Sequence, residues 1–388
     1  MNPFQFHAPS TLVVETGAAA RLTEILQALR SLRGPLRRLF VVSDAGVERA
    51  GLLDAPLAAL REHGITVTIF SDVEADPSST TVETASRAAI EAQADAVMGF
   101  GGGSPMDVAK LVALLAGSGE TLDAVYGVGL AKGPRLPLVL VPTTAGTGSE
   151  ATAVAIVTTG EGQKKGVVSP LLVPDCAVLD AALTIGLPRA ATAATGIDAM
   201  VHAIESYTSK RLKNPLSDSL ARDAMRLLSR HIEPACHDGT HLPAREAMLL
   251  GASLAGLAFA NAPVAAVHAL AYPVGARFHV PHGLSNSLVL PAVMRFNLRE
   301  AVAPYAELAA IAVPQARGTD RERAQALIDW LSMLPGELGL PTRLSEVGIK
   351  ASDLPTLASD AMQQTRLLVN NPRAVAFDDA LALYAEML

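Results

Sequence analysis

Short apolar runs alternate with helical patterns in the first half of the chain. LFVVSD (39–44) and ITVTIFSDV (65–73) are strand-like, whereas TTVETASRAAIEAQ (80–93) has helical spacing. ADAVMGFGGGS (94–104) and LPLVLVPTT (136–144) are further apolar runs that end at glycine or proline. Strands that alternate with helices predict a parallel sheet covered by helices on both faces.

The pattern changes after about Leu187 and Pro188. From there the chain shows one helical segment after another, such as ATAATGIDAMVHAIESYT, and long β-branched apolar runs are missing. No internal repeat, low-complexity tract or block of charge interrupts it. We therefore predict two domains: an α/β dinucleotide-binding domain over residues 1–187, followed by an all-helical domain over residues 188–388.

The composition narrows the class of partner. Of the 388 residues, 50% are hydrophobic and 18% are charged, which favours a large core over disorder. The net charge of -7 gives no general attraction to nucleic acid or to an anionic membrane, so a small-molecule ligand is expected. Two cysteines without metal-type spacing, and no recognisable signal peptide, indicate a reducing cytoplasm. The uncharged stretch 249–267 could span a bilayer, but its Ala, Gly and Pro content favours a buried helix.

Two glycine-rich loops follow predicted strands. GFGGGSPMDVAK (99–110) opens a helix, whose free N–H groups favour an anion such as pyrophosphate. Its spacing matches neither GxGxxG nor the phosphate-binding GxxxxGK[ST] pattern, and a simple tight turn is the alternative. VPTTAGTGSE (141–150) adds the hydroxyls of Thr143, Thr144, Thr147 and Ser149. Two such loops at one sheet edge predict a bound dinucleotide.

Asp44 ends the first predicted strand after the N-terminal region. A carboxylate there accepts a hydrogen bond from a ribose hydroxyl and repels a 2′-phosphate, which favours NAD over NADP. The same side chain could instead cap the following helix AGVERAG.

Four side chains of types that can bind a metal ion occur in two distant segments. Asp198 and His202 lie four residues apart in TGIDAMVH, so on a helix they share one side. His268 and His282 stand at the two ends of HALAYPVGARFHVPH. Three imidazoles and one carboxylate suit Fe²⁺, Zn²⁺ or Co²⁺ rather than Ca²⁺ or Mg²⁺. Each histidine taken alone could equally be a satisfied core residue.

Taken in order, GGGSPMDVAK, PTTAGTGSE, TGIDAMVHAIESY and the paired histidines closely resemble the iron-containing, or group III, alcohol dehydrogenases. That family is related to glycerol dehydrogenase and dehydroquinate synthase, and the resemblance runs from about residue 4 to about residue 300. It implies a dehydroquinate synthase-like fold: an α/β dinucleotide domain, a helical domain and an active site in the cleft between them. It also implies NAD, with NADP possible, and a divalent metal, commonly Fe²⁺ and sometimes Zn²⁺.

The resemblance assigns roles residue by residue. The metal ligands are Asp198, His202, His268 and His282. The cofactor's phosphate and nicotinamide region matches Gly101, Gly102, Gly103, Ser104 and Asp107; its adenine and ribose side matches Thr143, Thr144 and Thr147; weaker cofactor positions are Lys164 and Leu183. The substrate pocket matches Val154 and Phe259.

One position departs from the common family pattern. Many members carry a second histidine one turn after the third metal ligand, and here that position is Tyr272. A tyrosine also occurs there in the branch resembling hydroxyacid–oxoacid transhydrogenases. The proton path is therefore assigned to Tyr272, or to the nearby His279 as a substitute.

We expect reversible hydride transfer between NAD(H) and a small alcohol or aldehyde. The apolar pocket positions and the lack of an evident arginine clamp favour a neutral substrate over an oxoacid. A transhydrogenase or another oxo-compound reductase of the same family, a dehydroquinate synthase-like lyase and a non-enzymatic NAD-binding protein are the alternatives. We expect a cytoplasmic homodimer or higher homo-oligomer.

Overall fold

The computed structural model describes residues 3–29, 36–160 and 163–388. These residues form two compact units. The first, called the α/β unit, comprises His7–Thr144 and Gly148–Ile185. The second, called the helical unit, comprises Gly186–Leu388 together with Ala145–Thr147 and residues 3–6. The short segment Ala145–Thr147 of the second glycine loop thus groups with the helices.

The α/β unit alternates strands and helices over most of its length. In chain order its elements are β1 (Thr11–Val14), α1 (Leu22–Leu29), β2 (Arg38–Val42), α2 (Ala45–Arg49), α3 (Asp54–Glu62), β3 (Thr66–Phe70), α4 (Ser79–Glu91), β4 (Ala96–Gly101), α5 (Gly103–Ser118), α6 (Leu122–Val125), β5 (Gly127–Val128), β6 (Leu138–Pro142), β7 (Val154–Thr159), β8 (Gln163–Val168) and β9 (Cys176–Leu179).

Six of these strands form one parallel sheet in the order β1-β9-β6-β4-β2-β3. Successive side chains of β2 point to opposite faces of the sheet. Leu39 and Val41 pack in one apolar cluster, and Phe40 and Val42 pack in the other. A strand buried on both faces needs a continuous apolar run, which is what RLFVV supplies. The expected parallel sheet covered on both faces is confirmed.

A second, smaller sheet has the order β5-β8-β7, with β7 and β8 antiparallel. Sequence patterning did not reveal it, because β8 reads QKKGVV and is mostly polar at its start. Its strand β7 begins at Val154, shortly after the end of the second glycine loop.

The helical unit contains nine α-helices within residues 188–388, all of which are described, and no strand. They are α7 (Arg189–Thr208), α8 (Pro215–His237), α9 (Leu242–Asn261), α10 (Ala266–Phe278), α11 (His282–Ala312), α12 (Asp320–Glu337), α13 (Leu354–Met362), α14 (Thr365–Leu368) and α15 (Phe377–Met387). The expected all-helical second domain is confirmed.

Helix starts in this unit follow local sequence. Asn214 caps α8 by accepting from the Ser217 backbone N–H, with a proline at the first helical position. Thr319 and Glu322 form a capping box at the start of α12. These caps satisfy backbone donors that a helix start leaves unpaired.

The uncharged stretch 249–267 is not one helix. It covers the end of α9 and the start of α10, which are separated by a break at residues 262–265. Within the described chain, no single helix is long and apolar enough for a membrane span; α9 and α10 meet those criteria only as a pair, which is bent by 108°.

Candidate metal centre and dinucleotide loops

Helix α7 presents two of the predicted metal ligands on one face. Asp198 and His202 lie one turn apart, and both side chains are buried. Glu205 follows at seven residues from Asp198, which brings it to the same face of the helix. The remaining ligands come from elsewhere in the unit: His268 lies in the first turn of α10, and His282 is the first residue of α11.

The four predicted ligands converge. One ligand atom from each of Asp198, His202, His268 and His282 lies within 4.8 Å of the other three. The Nε2 atoms of His202 and His268 are 3.0 Å apart, and Asp198 Oδ1 lies 3.8 Å from His282 Nε2. Three imidazole nitrogens and one carboxylate oxygen at this spacing match the donor set of an Fe²⁺ or Zn²⁺ site. The structure therefore brings together all four residues that the sequence pattern suggested.

Protonation in the cluster favours metal binding. Burial, which outweighs the opposing charge of Asp198, lowers the pKa of His202 to about 3, so its imidazole is neutral at physiological pH. Burial opposes ionisation of Asp198, but the three imidazoles and the Asn286 amide outweigh it and lower the pKa of that carboxyl. A neutral imidazole and an ionised carboxylate are the forms that bind a cation.

Two residues that sequence reasoning missed complete the cluster. Asn286, one turn after His282, is fully buried and donates a 2.6 Å hydrogen bond from Nδ2 to Asp198 Oδ1. Glu205 accepts at 2.6 Å from His268 Nδ1 and at 2.7 Å from the Val267 backbone N–H. Glu205 lies at i+3 from His202, and Asn286 lies at i+4 from His282. This helical spacing from a ligand was the sequence signal that could have identified them.

Two aromatic side chains border the imidazoles. Phe259, predicted as a pocket residue, stacks on His202 with ring centroids 4.4 Å apart. Tyr272 lies one turn after His268, and its ring centroid is 5.9 Å from that of His282. Both aromatic residues thus belong to the immediate surroundings of the cluster.

His279 has a different environment. It is exposed, terminates α10 and adopts a left-handed conformation with φ 55°. It is not among the four clustered ligands. Its position at the helix end explains why the chain can turn there before α11 begins.

The two glycine loops begin at neighbouring strands of the α/β unit. Strands β4 and β6 pair in register, with Gly101 opposite Pro142, and the Thr143 backbone N–H donates to Gly101 O at 2.9 Å. Gly102 caps α5, and Gly103 and Ser104 form its first turn, so their backbone N–H groups lie at the helix N-terminus. Thr143 and Thr144 follow β6 directly. Thr147 belongs to the segment that groups with the helical unit.

A buried ion-pair network connects the α5 helix to the second loop. Lys110 is fully buried, and its Nζ donates to Ser149 Oγ at 2.7 Å and to Val154 O at 2.7 Å. Asp107, predicted as a cofactor residue, accepts from Ser149 Oγ at 2.6 Å and from the Ile156 backbone N–H at 2.9 Å. Its carboxylate therefore holds the loop in place. Sequence reasoning missed Lys110, which lies one turn after Asp107 in the DVAK segment.

Asp44 does cap its helix: its Oδ1 accepts from the backbone N–H groups of Gly46 and Val47. The other oxygen lies beside the glycine loop, since a Cβ built on Gly101 would be 3.2 Å from Asp44 Oδ2. The capping and cofactor interpretations are thus compatible, because they use different oxygens.

The remaining predicted cofactor and pocket positions also lie in the α/β unit. Lys164 pairs with Asp76 at 2.6 Å, and Leu183 is a buried member of one core cluster. Val154 is half-buried at the start of β7, and its carbonyl accepts from Lys110.

Comparison with known proteins covers nearly the whole chain. Residues 9–181 match the family described as iron-containing alcohol dehydrogenase, and residues 192–388 match the C-terminal model of the Fe-containing alcohol dehydrogenase family. A sulfoacetaldehyde reductase from Bilophila wadsworthia is 36% identical over 370 residues, which is 93% of this chain and 94% of the relative.

Solved structures match this chain along its full length. A 1,3-propanediol oxidoreductase matches with a TM-score of 0.94 and 33% identity, covering 100% of both chains. A sulfoacetaldehyde reductase from Bifidobacterium kashiwanohense in complex with NAD⁺ matches with a TM-score of 0.88 and 27% identity, covering 100% of this chain and 99% of the other.

Proposed function

This chain belongs to the iron-containing alcohol dehydrogenase family and is an alcohol/aldehyde oxidoreductase, and we propose that it transfers hydride between NAD(H) and a small neutral alcohol or aldehyde. The observation that carries the proposal is the convergence of Asp198, His202, His268 and His282 within 4.8 Å in a largely buried cluster. Ordinary core packing does not account for three imidazole nitrogens and one carboxylate oxygen that converge at this spacing.

The donor set fits Fe²⁺ or Zn²⁺, and these four residues would hold it. When bound, such an ion supplies Lewis acidity toward the oxygen of the substrate. The chain's own residues prepare the site. Burial keeps His202 neutral, Asn286 orients the Asp198 carboxylate through a 2.6 Å hydrogen bond, and Phe259 restricts His202 to one ring plane by stacking on it. The apolar ring of Phe259 suits an uncharged substrate.

For the cofactor, we propose NAD(H) at the two glycine loops. The N-terminus of α5, with Gly102 as its cap, suits a pyrophosphate, and the Asp44 carboxylate oxygen beside Gly101 suits a ribose hydroxyl. The NAD⁺ complex of the structural relative supports this choice. When bound there, the cofactor would supply the hydride chemistry, and the hydrogen bonds of Lys110 hold the end of the second glycine loop in place.

We propose that Tyr272 belongs to the proton path between substrate and solvent. Its ring lies beside His282, and its phenol both donates and accepts hydrogen bonds. His279 stays a weaker candidate, because it is an exposed helix-end residue.

The location and assembly of the protein are also proposed. Cys176 and Cys236 are buried free thiols, which suits a reducing cytoplasm. We propose a homo-oligomer, and light scattering of the purified protein measures that state directly.

The proposed function is tested with metal-stripped protein, reloaded anaerobically with Fe²⁺ or Zn²⁺. Activity is measured across alcohols and aldehydes with both NAD(H) and NADP(H), together with metal content. We expect metal-dependent turnover that favours NAD(H), and we expect His268→Ala to lose both metal and activity while keeping its helical circular dichroism. Full metal occupancy and normal turnover in His268→Ala would contradict the four-ligand assignment.

A further inference from the structure

Glu205 has an environment that helix packing alone does not explain. The side chain is only 4% exposed, yet it is a carboxylate on the buried face of α7 that also carries Asp198 and His202. Buried carboxylates are costly unless both oxygens find donors. Glu205 finds two: Oε1 accepts the Val267 backbone N–H at 2.7 Å, and Oε2 lies 2.6 Å from His268 Nδ1.

The second contact determines which nitrogen of His268 carries the proton. A carboxylate has no hydrogen to donate, so the 2.6 Å contact requires Nδ1–H of His268 as the donor. In the neutral imidazole, Nε2 is then left with its lone pair. That atom is the one directed at the cluster, 3.0 Å from His202 Nε2.

We infer that Glu205 is a positioning residue, which orients His268 and holds it in the tautomer that binds a divalent metal through Nε2. The inference rests on the proposed metal centre. Carboxylates that accept from the outer nitrogen of a ligating histidine fix its ring and raise its basicity, and their loss typically weakens metal binding about 10- to 100-fold. Glu205 is not itself one of the four clustered ligands.

A purely structural role is the competing explanation, since Glu205 also connects α7 to the start of α10 through Val267. The variant Glu205→Gln distinguishes the positioning role from the purely structural role. The isosteric amide keeps one oxygen, which still accepts the Val267 N–H. Its NH₂ group then faces His268 Nδ1 and favours the tautomer with the proton on Nε2, where that proton blocks the ligand position.

The experiment uses the full chain, stripped of metal and titrated with Co²⁺, whose visible absorption reports both affinity and ligand environment. We expect Glu205→Gln to bind Co²⁺ about 10- to 100-fold more weakly, with an altered spectrum. The thermal midpoint of the metal-free variant should match that of the control Glu307→Gln. Glu307 is an exposed residue on α11 that hydrogen-bonds Tyr207 on the same helix α7, so its replacement repeats the chemical change away from the cluster.

Three results would overturn the inference. If the wild-type protein does not bind Co²⁺, the metal centre itself is contradicted, and with it the proposed function. If the wild type binds Co²⁺ and Glu205→Gln binds it with the same affinity and the same spectrum, the metal centre stands but Glu205 does not position His268. Weaker Co²⁺ binding accompanied by a lower metal-free thermal midpoint than Glu307→Gln shows that Glu205 supports the fold rather than the histidine.

Discussion

The ammonium of Lys110 lies 2.9 Å from the hydroxyl of Thr152, and the lysine side chain is completely buried. Burial lowers the pKa of this lysine, while Asp107 and Glu150 favour its charged form. Ser149 Oγ and Val154 O accept from the same ammonium at 2.7 Å. One side chain of α5 thereby holds the end of the second glycine loop and the start of β7.

Lys110→Met should therefore destabilise the α/β unit by about 1–3 kcal/mol, because acceptors in a buried site lose their donor. The affinity for NADH should fall as well, since both glycine loops contact this network. Urea unfolding by far-ultraviolet circular dichroism and NADH titration by fluorescence measure the two effects. Lys132→Met, at an exposed position of the same unit, serves as the control and should stay within about 0.5 kcal/mol of the wild type. Equal stability of both variants contradicts the role of Lys110.

Asp44→Asn should shift cofactor preference toward NADPH. Asparagine caps a helix as well as aspartate does, so α2 keeps its start while the charge beside Gly101 disappears. We expect the ratio of kcat/KM for NADPH over NADH to rise on the order of tenfold, or about 1.4 kcal/mol of relieved repulsion. The control is Asp54→Asn, in the exposed first turn of α3. An unmoved ratio in Asp44→Asn would show that Asp44 only caps α2.

Tyr272→Phe should reduce turnover about ten- to a hundredfold at unchanged metal content. The Tyr272 and His282 ring centroids are 5.9 Å apart, and a hydroxyl that takes part in the proton path would leave its partner unpaired when removed, an effect of about 1–3 kcal/mol. The pH–rate profile should change too. Tyr384→Phe is a matched control. The Tyr384 phenol is also buried, and it donates to the carbonyl of Leu270, which lies on α10 as Tyr272 does. A Tyr272→Phe profile that superimposes on the wild type would move the proton path elsewhere, with His279 next to be replaced.

The metal-free protein should lose stability as the pH falls from about 6.5 toward 3. The pKa of His202 is about 3 in the fold against 6.5 unfolded, so in this window the unfolded chain binds the proton and the folded chain does not. The lowered pKa of Asp198 acts in the same direction at the acid end. His202→Gln should flatten this dependence. Trp330, the single tryptophan, lies on α12 and reports unfolding of the helical unit by fluorescence. Parallel curves for the wild type and His202→Gln contradict this explanation.

Local pattern was sufficient for the fold class. The alternation of apolar runs and helical spacing predicted the parallel sheet, because strands buried on both faces must be continuously apolar. It failed for β8, whose polar QKK start carries little strand signal. It also joined α9 and α10 across the stretch 249–267, because composition does not show where a buried helix breaks.

Local spacing was also sufficient to suggest the ligands. An i, i+4 pair such as Asp198 and His202 faces one way on any helix, so half of the donor set was readable from the sequence alone. The other half, His268 and His282, was assigned as metal ligands through the resemblance to the family motif.

What surrounds the ligands depended on tertiary structure. Helical spacing brings Glu205 and Asn286 to the same faces as ligands, but only the fold shows what they contact: His268, 63 residues from Glu205, and Asp198, 88 residues from Asn286. Lys110 likewise reaches Thr152 across 42 positions. Hydrogen bonds between buried groups are decided by which helices and loops pack together, and that packing has no periodic trace in the chain. The sequence by itself thus determined the fold class and suggested the metal ligands, whereas tertiary packing decided how those ligands are oriented and which loop the buried lysine holds.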